Sequence, residues 1–166
     1  MRSFAALALI SAAAFNTASA LVDARERTTV SVKDGSPYDT RTKSKGGCDP
    51  HGCVPENTRD QDTSDNSRWS CKKQLENKQC KIKYEFDEPQ DIVRLDVQFW
   101  KGDERVRKLK VTDDTGFKKT ITSSGTSKGF EKFTINTDET ETLTLESVGL
   151  SKDEWISIKE VKFMVD

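Results

Sequence analysis

The chain has 166 residues, a third of them charged, with 27 Lys and Arg against 28 Asp and Glu and a formal net charge of −1. That balance excludes the surplus of positive charge with which proteins hold nucleic acid, and the length suits one ordinary domain. No segment has the roughly twenty consecutive apolar residues that a membrane-crossing helix needs.

The first twenty residues read as a secretory signal. Arg2 supplies the positive start, "FAALALISAAAF" the apolar run, and "ASA" (Ala18 to Ala20) the small residues before a cleavage expected after Ala20. A secreted, extracellular chain is one in which cysteines pair. Of the four, Cys48, Cys53, Cys71 and Cys80, three pairings are open. Cys48–Cys53 with Cys71–Cys80 is favoured because each pair brackets a short polar loop. Zinc is the competing use, but the spacings are not those of a ribbon or finger. Residues 21–47 are polar and punctuated by "DGSP" and "KSKGG", with one possible strand in "TTVSV". They read as a linker or loosely ordered arm ahead of a domain spanning 48–166.

Next comes "NTRDQDTSDNSRWSC", Asn57 to Cys71, an oxygen-rich run ahead of an Arg-Trp pair. Calcium takes six to eight hard oxygens, and Asp, Ser and carbonyl groups in a tight loop supply them. A solvated loop is the plain alternative. Trp69 is expected to pack in the core, as large rings do, with Arg68 pairing to a carboxylate or carbonyl.

From Cys80 onward the apolar period is two. Ile82, Tyr84 and Phe86 alternate, then Val93, Leu95, Val97 and Phe99, then Leu109 and Val111, Phe133 and Ile135, Leu143 and Leu145, and Val161, Phe163 and Val165. Short alternating runs are half-buried strands. "KGDE", "DDTG", "SSGTSKG" and "TDET" break them, and "SSGTSKG" reads as a hairpin tip. Strands so spaced, with no helical period, predict an all-β antiparallel sandwich.

The front run, the central "FWKGDERVRKLKV" and the closing "WISIKEVKF" occur in an order that resembles the discoidin-like, or coagulation factor 5/8 type C, family. This is the galactose-binding-like jelly roll that includes the family 32 carbohydrate-binding modules found beside alginate and other polysaccharide lyases. The resemblance covers roughly Cys48 to Asp166. It implies a structural calcium held by Asp60, Asp62 and Ser67 from the front loop and by Glu160 near the tail. Gln61 stands where the family usually has Gly.

Trp100 falls on the polar phase at a strand end, where a ring can serve as a platform for the C–H face of a sugar. Asp103 and Arg105 beside it could bind hydroxyls, since such sites combine aromatic walls with a few placed polar groups. His51 in "CDPHGC" and Arg59 are further ligand candidates on the front loops. Between Lys101 and Lys119 basic residues outnumber acids, which would attract an anionic glycan; a solvated sheet face is the plainer reading. The expected function is that of a secreted, monomeric, non-catalytic module binding a cell-wall or extracellular polysaccharide. The alternative is an adhesion or protein-interaction module on the same fold. Lipid binding is disfavoured because "SSGTSKG" and "TDET" carry no large apolar residue. An enzyme is disfavoured because there is one His and no nucleophile motif or paired catalytic constellation.

Overall fold

The alternating runs are strands in the structure, a computed structural model that describes residues 20–34, 39–40, 47–48, 52–72, 79–150 and 155–166. The described residues form two five-stranded sheets in which every pairing is antiparallel. One contains β1 (Val22–Asp23), β3 (Trp69–Lys72), β5 (Ile92–Phe99), β8 (Phe130–Thr134) and β10 (Trp155–Val165). Its order is β1-β10-β5-β8, with β3 pairing the first residues of β10. The other runs β2 (Val30–Asp34), β4 (Lys81–Gln90), β9 (Thr140–Leu150), β6 (Arg107–Asp113), β7 (Lys118–Thr122). No helix among the described residues is long and apolar enough to cross a membrane.

The core lies between the sheets and is built from the period-two residues. Ile82, Tyr84, Phe86, Leu109, Val111, Leu143 and Leu145 come from one sheet. Leu95, Val97, Phe99, Val161, Phe163 and Val165 come from the other, and all are buried. Phe163 meets Tyr84 and Phe86 edge-on, with ring centroids 4.9 and 5.1 Å apart, the geometry that aromatic quadrupoles favour. Trp69 is buried in the same cluster, as expected. On β5 the buried residue is Ile92 rather than Val93, because the register slips there: Met164 pairs with Arg94 and Val165 with Ile92. A bulge of this kind resets which face a side chain occupies.

Two expectations are corrected. The front segment is not a loose arm over its whole length. Val22 pairs with Val165, and β2 pairs with β4 through Val30–Phe86 and Val32–Tyr84, with Val30 and Val32 packed on the core. Few apolar groups are needed when a preformed sheet edge supplies the backbone partners. Nor is "SSGTSKG" a hairpin tip. β7 pairs with β6 and β8 with β5, so this segment crosses from one sheet to the other, as "KGDE" and "TDET" also do.

"DDTG" does close a hairpin, between β6 and β7. Asp113 Oδ1 accepts the N–H groups of Thr115, Gly116 and Phe117 at 3.0, 2.9 and 2.7 Å, and Oδ2 accepts the Thr115 and Thr140 hydroxyls. Gly116, at φ +105°, makes the turn with open space around it. Burial alone would push the Asp113 carboxyl up, but these hydrogen bonds hold its pKa below the ordinary value. A pKa lowered on folding adds stability above the unfolded pKa, and that stability is lost as pH falls through the folded one. Asp113→Asn should therefore lower the melting temperature near neutral pH and make its fall toward about pH 3 shallower than in wild type. Parallel slopes in thermal melts across that range would show that Asp113 is not the group responsible.

Both disulfides are formed as favoured, Cys48–Cys53 and Cys71–Cys80, with Cα separations of 4.9 and 5.7 Å, and all four cysteines are buried. The second pair joins β3 to the start of β4 inside the core cluster. Thiol titration of the unreduced, denatured protein should find no free sulfhydryl. Replacing Cys71 and Cys80 by Ala should cost about 2–4 kcal/mol in denaturant unfolding.

Candidate functional site

Trp100 follows the last residue of β5, and its backbone N–H donates to Ser157 O at 3.2 Å. Lys101 turns the chain at φ +51°, and the Glu104 N–H closes that turn on its carbonyl at 3.1 Å. The loop then presses on residues 123–129. A Cβ at Gly102 would lie 2.4 Å from Ser127 O, and one at Gly125, whose φ is +74°, 2.8 Å from Val106 Cγ2. The two crossing segments are thus held together by bare backbone at two points.

The half-buried Trp100 ring gathers cations. The Arg68 and Arg105 guanidinium carbons lie 4.7 and 5.1 Å from its centroid, and Lys101 Nζ 5.2 Å. The negative face of an indole attracts such groups. Arg68 is buried and fixed from below: its Nε donates to Ser70 Oγ at 3.1 Å and its Nη1 to Asp65 O. A cleft of about 230 Å³ is lined by Asp65, Phe99, Lys101, Asp103, Lys128 and Lys159 among others, so that both chain neighbours of Trp100 border it. Ion pairs ring it: Lys101–Glu104 at 3.3 Å, Lys128–Asp103 at 3.4 Å and Lys159–Asp65 at 3.0 Å. The Lys101–Glu104 and Lys128–Asp103 pairs are open to solvent and contribute little to stability, so a ligand can displace them at small cost.

Of the residues proposed from the sequence, Trp100, Asp103 and Arg105 meet at this end. Trp100 is not a bare platform, because its ring already carries cations. Arg59 lies elsewhere: its Nη1 donates to Val161 O at 2.7 Å and Asp23 Oδ1 at 3.3 Å, and the guanidinium sits 5.1 Å over Phe163. That is a packing role. His51 lies outside the described residues. Sequence reasoning did not single out Arg68, Lys128 or Lys159 for this site. Arg68 had a signal in its place beside Trp69. The two lysines had none, since only the crossing of the chain between sheets brings them here.

The oxygen-rich loop does approach the tail. The Gln61 N–H donates to Glu160 Oε2 at 3.2 Å, and Gln61 adopts φ +67°, making the turn at the position where Gly was expected. The Ser67 hydroxyl donates to Asp60 Oδ2, and the Asp62 N–H to Asp60 Oδ1 at 2.8 Å. Asp62 is exposed and takes the Ser64 N–H and hydroxyl at 2.8 and 3.1 Å. Glu160, 1% exposed, accepts Arg25 Nη2 on Oε1 at 2.6 Å. Burial pushes the Glu160 carboxyl up in pKa, and the hydrogen bond and charge of Arg25 act against that. Calcium needs at least six oxygens aimed at one point. Here each carboxylate faces a protein donor, and among the described residues no three acidic, His or Cys side chains converge on a metal position. As arranged, these residues do not fit the ion.

Solved structures match over most of the chain. The CBM32 of AlyQ in complex with 4,5-unsaturated mannuronic acid matches with a TM-score of 0.60 at 21% identity, over 81% of this chain and 92% of its own. A pectin-binding carbohydrate-binding module matches at 0.58 and 23% identity, over 80% and 86%. The F5/8 type C domain of a Bacteroides fragilis protein matches at 0.59 and 12% identity, over 88% and 95%. This chain has the discoidin-like, CBM32-type fold. No protein-family profile and no characterised protein matches its sequence. At these identities the likeness is one of fold, and fold alone does not fix a ligand.

The contact at Gly102 makes the loop pair testable. Gly102→Ala should destabilise the domain by about 1–3 kcal/mol through the clash with the Ser127 carbonyl. Gly129→Ala, whose Cβ would meet nothing nearer than 4.0 Å, should be close to neutral. Equal melting temperatures for the two variants would refute the close approach.

Proposed function

We propose that this discoidin-like domain is a secreted, non-catalytic module that binds an acidic polysaccharide, with a uronate ring seated against Trp100. The observation that carries the reading is the convergence of Arg68, Arg105 and Lys101 on one half-buried indole, with Lys101 also lining the cleft that holds Asp103 and Lys128. A sugar carboxylate would take Arg105 and Lys101, because a guanidinium matches a carboxylate in geometry and an ammonium supplies a point charge. The ring's apolar C–H face would pack on the indole edge and on Phe99 at the cleft wall. Asp103 and Asp65, each now beside a lysine, would accept sugar hydroxyls once those pairs open.

The AlyQ module, which has the same fold, is complexed with an unsaturated mannuronic acid, and a second such module binds pectin. Both support an acidic sugar as a ligand the fold can hold, although another module of this fold is bound to the neutral sugar GalNAc. The two buried disulfides support an oxidising, extracellular setting.

Isothermal titration with mannuronate and galacturonate oligomers, against neutral galactose oligomers, tests the proposal. Wild type should bind an acidic oligomer and keep measurable affinity at about 0.15 M salt, where unshaped charge attraction is largely screened. Trp100→Ala and Arg105→Gln should each weaken binding about tenfold or more, roughly 1.4 kcal/mol, while remaining folded by circular dichroism. Equal affinity for neutral and acidic oligomers, or unchanged affinity in Trp100→Ala, would remove this site.

A further inference from the structure

We infer that an organic cation, the Arg25 guanidinium, holds the position at Glu160 that the family resemblance gives to calcium, so that this domain closes its two chain ends without a divalent ion. The inference is independent of the glycan reading and concerns a different set of residues.

Glu160 is the starting point. It lies within β10 and is 1% exposed, so its charge must be matched inside the protein or be costly. Its two oxygens are both satisfied: Oε1 by Arg25 Nη2 at 2.6 Å and Oε2 by the Gln61 N–H at 3.2 Å. Arg25 is itself held. Its Nε donates to Asp23 Oδ2 at 2.8 Å, and Asp23 is the residue before the short 3-10 turn Ala24–Glu26 that presents Arg25. Asp23 Oδ1 in turn accepts Arg59 Nη1 at 3.3 Å, and Arg59 reaches Val161 O, one residue past Glu160.

The result is an alternating chain of charges, Glu160–Arg25–Asp23–Arg59, with two carboxylates and two guanidiniums. It is neutral as it stands. A divalent ion placed at Glu160 would add two positive charges beside two guanidiniums, in a cavity of about 300 Å³ that Asp23, Arg25, Gln61, Glu160 and Lys162 line. It would also have to displace the nitrogen now 2.6 Å from Oε1. The front-loop acids do not offset that, because Asp60 and Asp62 are exposed and bonded to their own loop.

The chain ends are joined all the same. Arg25 follows β1, Glu160 lies on β10, and Gln61 and Arg59 belong to the loop before β3. Four side chains and one backbone N–H thus link the front of the chain, its oxygen-rich loop and its tail. This is the mechanical task a bridging ion would perform. Arg suits it because it stays charged when half-buried and because its planar fork serves two carboxylates at once.

The test uses the chain from residue 21 onward, melted in calcium chloride and in EDTA, with calcium titrated into it calorimetrically. The wild-type melting temperature should be the same in both buffers, and the titration should show no binding. Arg25→Gln should lower the melting temperature by about 10 °C, because it strands a buried carboxylate. The double variant Arg25→Gln/Glu160→Gln should recover at least half of that loss, since neither side then carries an unpaired charge. A wild-type midpoint that rises with calcium, or heat from calcium binding, overturns the inference. So does a double variant no more stable than Arg25→Gln. Should Arg25→Gln fail to fold, the wild-type calcium measurements still decide the matter.

Discussion

Antiparallel pairing along β10 is the constraint on which the rest of this domain depends. β10 pairs with β3 at its start, with β5 along most of its length and with β1 at its end. It therefore joins residues from the front, middle and tail of the chain. Its inner face carries Val161, Phe163 and Val165 into the core, and Phe163 bridges to Tyr84 and Phe86 on the other sheet. Its residue Glu160 is a buried acid, 1% exposed. Burying that acid is tolerable only with a partner in place, so the pairing that brings β1 and the front loop to β10 also brings the guanidinium that neutralises it.

The same pairing fixes the Trp100 end. The Trp100 N–H donates to Ser157 O of β10, and Ile158 pairs with Phe99, so the backbone at Trp100 is anchored to β10. The segments after β5 and β7 both cross between the sheets, and the Gly102 and Gly125 contacts press these two segments together. Basic groups that are far apart in sequence end up around one indole and one cleft. A cation-rimmed aromatic is a poor place for a neutral apolar ligand and a good one for a sugar that carries its own negative charge.

Much of the architecture could be read from alternation. The runs around Tyr84, Leu95, Leu109, Leu143 and Phe163 became the buried faces of strands, because a period of two on a half-buried sheet leaves one solution for which side faces the core. The departures have local causes. A bulge moved burial from Val93 to Ile92, and β2 and β1 needed a sheet edge supplied from elsewhere in the chain. The site was legible in part. Trp100, Asp103 and Arg105 fall within one turn and could be seen together. Lys128 and Lys159 could not, because no local pattern marks a lysine that meets its partner only across a crossing. Arg59 showed the reverse error, since its position on a front loop did not reveal that its guanidinium turns inward over Phe163.

By itself, then, the sequence determined the all-β sandwich, most of the core and the oxygen-rich character of the front loop, while the meeting of that loop with the tail was implied only by the family resemblance. The first three follow from periodicity, from residue volume or from chemistry carried within a few neighbouring positions. Tertiary structure decided which cation sits at Glu160, which charges crowd Trp100 and which loops touch. Those outcomes depend on distances between residues far apart in the chain, and a charge has no preference for one opposite charge over another until the backbone sets them at 2.6 Å rather than 20 Å, where screening leaves about nothing.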